Sequence, residues 1–216
     1  MSIRVRGIID SILTIFSFTL LSLCLTSVAL VLVAGQHSFY GQIILNIIDV
    51  IFCTLTIGVL YVVTTKKFQL KIIEKLQIKS LLKGILITCC TMLYGRLINI
   101  PETANDDRIN NMLTHSAYIP GIILVVVIVI VGPVIEEIIF RGWMVKILSK
   151  QGLIIQTLLP TVAFALLHGP NTWLQFSAYF VSGAGFMVIR LWTRSLQYSV
   201  ICHMSWNLLA LVTTFI

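Results

Sequence analysis

"VGPVIEEIIFRGW", residues 131–143, sets two adjacent glutamates and an arginine inside an otherwise apolar run. The valines and isoleucines around them place this segment in lipid or in a tightly packed core. The rest of the chain points to lipid. Of 216 residues, 58% are hydrophobic and only 11% charged, whereas a soluble domain carries about 25% charged residues. Mean hydropathy is +1.01. The class expected is all-α, a polytopic transmembrane helical bundle. No stretch is long or polar enough for a separate soluble domain, so residues 1–216 read as a single integral membrane domain.

Crossing a bilayer takes about 20 apolar residues per helix. Apolar runs fall at about 9–34, 41–64, 82–100, 118–140, 153–168, 173–192 and 197–215, which predicts about seven spans. The first is longer than a signal-peptide core and is followed by no small-x-small cleavage site, so it reads as a retained helix. With the N-terminus in the cytoplasm, Arg4, Arg6, the lysines from 66 to 83, Arg141, Lys146, Lys150, Arg190 and Arg194 all fall on the inner side. The outer loops hold Arg108 beside Glu102, Asp106 and Asp107, with Arg96 near that boundary. That asymmetry follows the positive-inside rule and puts the C-terminus outside. The net charge of +7 is therefore a partner for lipid headgroups and not for nucleic acid. Short loops on a short chain fit a bacterial cytoplasmic-membrane protein.

Between the second and third runs, "KKFQLKIIEKLQIKSLLK" repeats lysine at 67, 71, 75, 79 and 83. A spacing of four predicts a helix lying on the inner leaflet, with Phe68, Ile72, Ile73 and Leu76 on its apolar face. Asp49 and Arg96, both in outer halves of their spans, are expected to pair. The five cysteines (Cys24, Cys53, Cys89, Cys90, Cys202) lie in apolar segments without metal or redox spacing and read as small buried hydrophobes.

Ionisable groups inside spans are costly and face partners or a wet cavity. Glu136, Glu137, His168, His203 and Asn207 stand out, on three helices. Depth brings them together. Glu136 lies 15 residues before Gln151 and His168 lies 16 after Gly152, so at ~1.5 Å per residue both sit roughly 23 Å from that turn. His203 and Asn207, four apart, share a helix face at comparable depth. The layer is expected to open toward the cytoplasm, and Gly132-Pro133 to free backbone just before the glutamates.

Glu137 and Arg141 are spaced i, i+4, acid first, the better orientation for an ion pair. Glu137 then serves as a strut, leaving Glu136 to take a proton from water as general base. His168 can hold the same water, and His203 and Asn207 can donate to an oxyanion. That set describes a hydrolase.

"EEIIFR", "FALLH" and "HMSWN" fit, in order, the motifs EExxxR, FxxxH and HxxxN. Over residues 118–210 the chain resembles the CAAX protease and bacteriocin-processing (CPBP, formerly Abi) family of intramembrane proteases, relatives of the type II CAAX prenyl endopeptidases. The resemblance implies an intramembrane endopeptidase acting on a peptide or membrane-associated substrate near the cytoplasmic face. It implies Glu136 and His168 as the water-activating pair, His203 and Asn207 as the oxyanion site, and Glu137 and Arg141 as supports. No cofactor is required on this reading; a zinc alternative would use Glu136, His168 and His203. HExxH and a second aspartate near the site are both missing, and Ser182 in "SGAG" reads as part of a close helix-packing patch. The competing function is non-enzymatic: a bacteriocin-immunity factor or sensor-kinase regulator keeping the glutamates as a structural ion network.

Overall fold

The computed structural model describes residues 39–101, 103–115 and 118–214, and all regular structure among them is helical. The expected first span, 9–34, lies outside the described residues. The other six apolar runs each coincide with a helix. We number α1 (Phe39–Val62), α2 (Ile78–Ile98) and α3 (Ala104–His115), the last a polar helix that follows α2. A continuous helical run, α4, follows. It comprises Tyr118–Val126, a π turn Val127–Val131, Gly132–Glu137, a π segment Ile138–Met144, Val145–Ile147 and a 3-10 turn Leu148–Lys150. Then come α5 (Leu153–Leu167), α6 (Trp173–Thr193) and α7 (Leu196–Thr214). By length and composition three helical stretches of the described chain can cross a membrane: α2, Ile122–Lys150 of α4, and α6.

The polar stretch of the sequence sits on the most enclosed helix. Of those three, the stretch in α4 is the most buried, and Ile135, Ile138, Ile139, Phe140 and Trp143 are almost wholly covered. Leucines and isoleucines of α1, α2 and the start of α5 stay exposed instead, among them Ile48, Leu55, Leu86 and Ile154, as residues facing acyl chains should. Without a hydrophobic drive between helices in lipid, association relies on close packing of small residues. Gly183 and Gly185 of α6 supply it: a Cβ at Gly183 would come within 2.8 Å of Phe164, and one at Gly185 within 2.6 Å of Thr91. The packing patch read from "SGAG" is thus present. Ser182 is buried and donates to the Tyr179 carbonyl of its own helix at 3.1 Å.

The lysine-spaced segment departs from expectation. A π turn, Val63–Lys67, ends the helix begun by α1, and residues 68–77 are not helical. Gln69 takes a positive φ of 53°. Tertiary bonds outweigh the local period here. The Glu74 amide donates to Gln197 Oε1 at 2.6 Å and the Gln77 amide to Tyr198 Oη at 2.7 Å. Phe68 stacks on Trp143 with ring centroids 5.0 Å apart. The segment is stapled under the ends of α4 and α7, and Lys67, Lys71, Lys75 and Lys79 stay exposed. Arg96 is exposed as well, while the side chain of Asp49 lies outside the described residues.

Candidate active site

Local rules place each polar group. α5 stops at His168 because Gly169 follows with a φ of +65°, a conformation that suits glycine at a helix C-terminus. The connection onward is fixed by Thr172, whose hydroxyl caps α6 by accepting from the Gln175 amide at 3.1 Å. Gln175 Oε1 in turn accepts from the Asn171 amide at 2.8 Å. His168 is thereby held at the end of its helix, Nδ1 2.7 Å from the Phe164 carbonyl and its ring stacked on Tyr179 at 4.3 Å. Tyr179 Oη shares a 2.7 Å hydrogen bond with Thr103 Oγ1.

On α4 the neighbouring glutamates diverge. Glu137 and Arg141 are both 0% exposed, and Nη1 sits 3.1 Å from Oε1 as an ion pair. Arg141 spends its aligned bond elsewhere, donating from Nη2 to the Gly183 carbonyl at 2.8 Å. Its guanidinium lies 4.4 Å from the Phe164 ring and within 6 Å of Phe140 and Phe186, the range of cation–π attraction. His203 Nδ1 also reaches Glu137 Oε1, at 3.0 Å. Glu136, by contrast, retains 19% side-chain exposure, and its Oε2 lies 3.8 Å from His203 Nε2 and 4.0 Å from His168 Nε2. Those two separations exceed a direct hydrogen bond and suit one bridging water.

Asn207 connects to the backbone of α4. In the π turn the Gly132 amide bonds the carbonyl five residues back, Val127. The same register would send the next amide to Ile128, but residue 133 is proline and has no N–H. Asn207 Nδ2 donates to the Ile128 carbonyl instead, at 2.9 Å. The freed backbone expected at Gly132-Pro133 therefore exists as a change of helical register. A π turn of this kind often marks a functional site.

The structure brings Glu136, Glu137, Arg141, His168 and His203 into one cluster, with Asn207 one turn further along α7. One feature goes beyond the sequence reading. His203 bonds the strut glutamate through Nδ1, a link that helical spacing cannot show. His168 ends α5 at the far side from the Gln151–Gly152 turn, about 22 Å away at ~1.5 Å per residue. On the side toward that turn Ile139, Phe140, Arg141, Phe164, Phe186 and Ile189 are all essentially buried. The partly exposed groups, Glu136 and His168, thus lie at the level of the α5 end away from that turn. Tyr179, Phe164 and Phe186 are site residues that the sequence reading passed over. Their signal was available for α6, where Tyr179, Gly183 and Phe186 repeat at i, i+4 and i+7.

Among the described residues no group of three or more His, Cys, Asp or Glu is arranged to hold a metal ion. Glu136, His168 and His203 come nearest. Both rings commit Nδ1 to an oxygen and turn Nε2 toward Glu136, so a bound water or a cation would meet the same face.

A bundle of apolar helices enclosing ionisable side chains is an integral membrane protein, and the residues around its glutamates match a family of membrane proteases. Residues 118–209 match the family described as type II CAAX prenyl endopeptidase Rce1-like. This region contains every motif residue, and over it the chain is similar to that family. No curated protein and no solved structure matches the chain.

Proposed function

We propose that the protein is a glutamate-dependent intramembrane endopeptidase that hydrolyses a peptide bond of a peptide or membrane-associated substrate, in the cytoplasmic membrane of a bacterium. The observation carrying this reading is the convergence of His168 Nε2 and His203 Nε2 on Glu136 Oε2 at 4.0 and 3.8 Å. A water between them loses a proton to Glu136 while His168 fixes its direction. The resulting hydroxide adds to the scissile carbonyl, and the tetrahedral oxyanion is met by His203 and the second N–H of the Asn207 amide. Glu136 then returns the proton to the departing amine. Since Glu137 takes the Nδ1–H of His203, Nε2 donates only while that ring carries both protons. Glu137 and Arg141 hold His203 and Gly183 and touch no reacting atom. General-base chemistry of this kind needs no cofactor; if zinc were bound, Glu136, His168 and His203 would hold it and it would acidify the water.

One observation favours a second reading. Asn207 and His203 both have protein partners, the Ile128 carbonyl and Glu137. A non-enzymatic protein, such as a bacteriocin-immunity factor or sensor-kinase regulator, could keep the same network for stability. Comparing membrane-associated and exported peptides from cells with wild type and Glu136→Gln separates the two. The protease reading expects uncut peptides to accumulate with the variant; identical peptide sets would favour the non-enzymatic protein.

A further inference from the structure

We propose that Tyr179 is a positioning residue: tied at its hydroxyl to the start of α3, it holds the His168 ring so that Nε2 faces Glu136. The proposal rests on the protease reading and adds to it a residue that orients the water-holding histidine. Nδ1 of His168 lies 2.7 Å from the Phe164 carbonyl. A carbonyl only accepts, so Nδ1 carries the proton and the neutral ring turns the lone pair of Nε2 toward Glu136 Oε2, 4.0 Å away. One hydrogen bond leaves the ring free to swing about that atom. The Tyr179 ring restrains the swing, stacked on it with centroids 4.3 Å apart and planes 25° from parallel. The Phe164 ring touches at 4.5 Å but is tilted by 51°, so the parallel face is Tyr179's.

Tyr179 is itself held from outside its helix. Thr103 and Asp106 form a capping box at the start of α3: the Asp106 amide donates to Thr103 Oγ1 at 3.2 Å, and Asp106 Oδ2 accepts from the Thr103 amide at 2.9 Å. Thr103 Oγ1 also donates to Asp106 Oδ2, at 2.7 Å. A hydroxyl has one proton, and here it goes to a carboxylate, which only accepts. The 2.7 Å bond between Tyr179 Oη and Thr103 Oγ1 is therefore donated by the phenol. The Asn105 side chain bonds the same phenol. The series from Tyr179 through Thr103 ends on a charged acceptor, and Thr103 is only 2% exposed, so each bond strengthens the next. The capping box is complete without Tyr179, so the bond to the phenol serves α6 and not the cap. Thr103, Asn105 and Asp106 all precede the matched residues 118–209, and through Tyr179 they reach the site. A misplacement of about 1 Å at a reacting group can slow a reaction by about 10²-fold, and the tether guards His168 against it.

The test is NMR of the full chain in detergent micelles with isotope-labelled histidine rings, under conditions where the His168 ring is neutral. Loss of signals in His168→Gln assigns that ring. Tyr179→Phe keeps the aromatic face and removes the tether, Thr103→Val removes the acceptor at nearly constant volume, and Thr103→Ser retains the hydroxyl. In the parent and in Thr103→Ser, His168 is expected to be protonated at Nδ1 alone. In Tyr179→Phe and Thr103→Val a form protonated at Nε2 should appear, and the ring-current shift that Tyr179 imposes on His168 should shrink. His203, whose ring stacks on Phe186 instead, should keep its signals throughout. Unchanged His168 signals in Tyr179→Phe overturn the proposal, even with a lowered Tm, since the bond would then only dock α3. Equal changes at His203 and His168 also overturn it, as general loosening. If Thr103→Val does not fold, Tyr179→Phe, which lacks a single oxygen, decides alone. These outcomes do not depend on turnover. Failure of the protease reading would appear as unchanged peptides with Glu136→Gln, whatever the ring signals.

Discussion

Asn207 Nδ2 donates to the carbonyl of Ile128 at 2.9 Å, the acceptor that Pro133 cannot serve. One amide thus supports the backbone that presents Glu136 and, on the proposed mechanism, meets the oxyanion with its other N–H. Asn207→Ala should slow turnover by about two to three orders of magnitude with substrate binding little changed. It should also lower stability by about 1–3 kcal/mol, since the Ile128 carbonyl loses its partner at a partly buried position. Steady-state kinetics and a detergent melt read the two effects separately. A melt equal to wild type would remove the structural half of this role.

The glutamates should separate by phenotype. Glu136→Gln keeps the shape and removes the base, so a folded, inactive protein is expected. Glu137→Ala strands Arg141 at zero exposure and frees His203 Nδ1; breaking a buried pair costs roughly 3–5 kcal/mol, so its Tm should fall well below that of Glu136→Gln. The opposite order of Tm values would reverse the assignment.

Gly183 sets how closely α6 approaches Arg141. A methyl group there would lie 2.8 Å from Phe164 Cδ1 and 3.2 Å from Arg141 Nη2. Gly183→Ala should therefore destabilise by about 1–3 kcal/mol through overpacking, whereas Gly58→Ala, with nothing near its Cβ, should be close to neutral. Equal Tm values for the two variants would show that the α5–α6 contact yields more readily than its spacing implies.

Activity should survive a strong chelator if Glu136 and His168 act on water directly. Turnover after chelation, measured alongside the metal content of the purified protein, distinguishes this from zinc chemistry. Stoichiometric zinc, with activity lost on chelation and restored by added zinc, would replace the mechanism and leave the protease assignment in place.

What the sequence made legible was local. The i, i+4 spacing of Glu137 and Arg141 named their pairing, and equal counts from one turn put Glu136 beside His168. Long apolar runs located the helices, with α5 ending at Leu167 as the run ending at His168 implied. What stayed hidden depended on distant partners. The lysine period suggested a helix at 68–77, but amide bonds to Gln197 and Tyr198, more than 120 residues away, hold another path. Proline and glycine signalled freed backbone without revealing that Asn207 would cover it. Depth counts gave a layer but not the contact of His203 Nδ1 with Glu137, which depends on how α7 is turned against α4.

The Glu137–Arg141 pair also bears on how the protein is made. Both partners lie on one helix, so the pair is available as soon as α4 is synthesised and can enter the bilayer with its charges already matched. His203, 66 residues later, must wait for α7, as must the Asn207 bond that covers the Ile128 carbonyl. Chains are synthesised from the N-terminus, so membrane insertion precedes assembly of the site. A nascent chain halted before α7 would hold Glu136 and His168 in the membrane without His203 or Asn207, leaving the cluster incomplete until α7 docks.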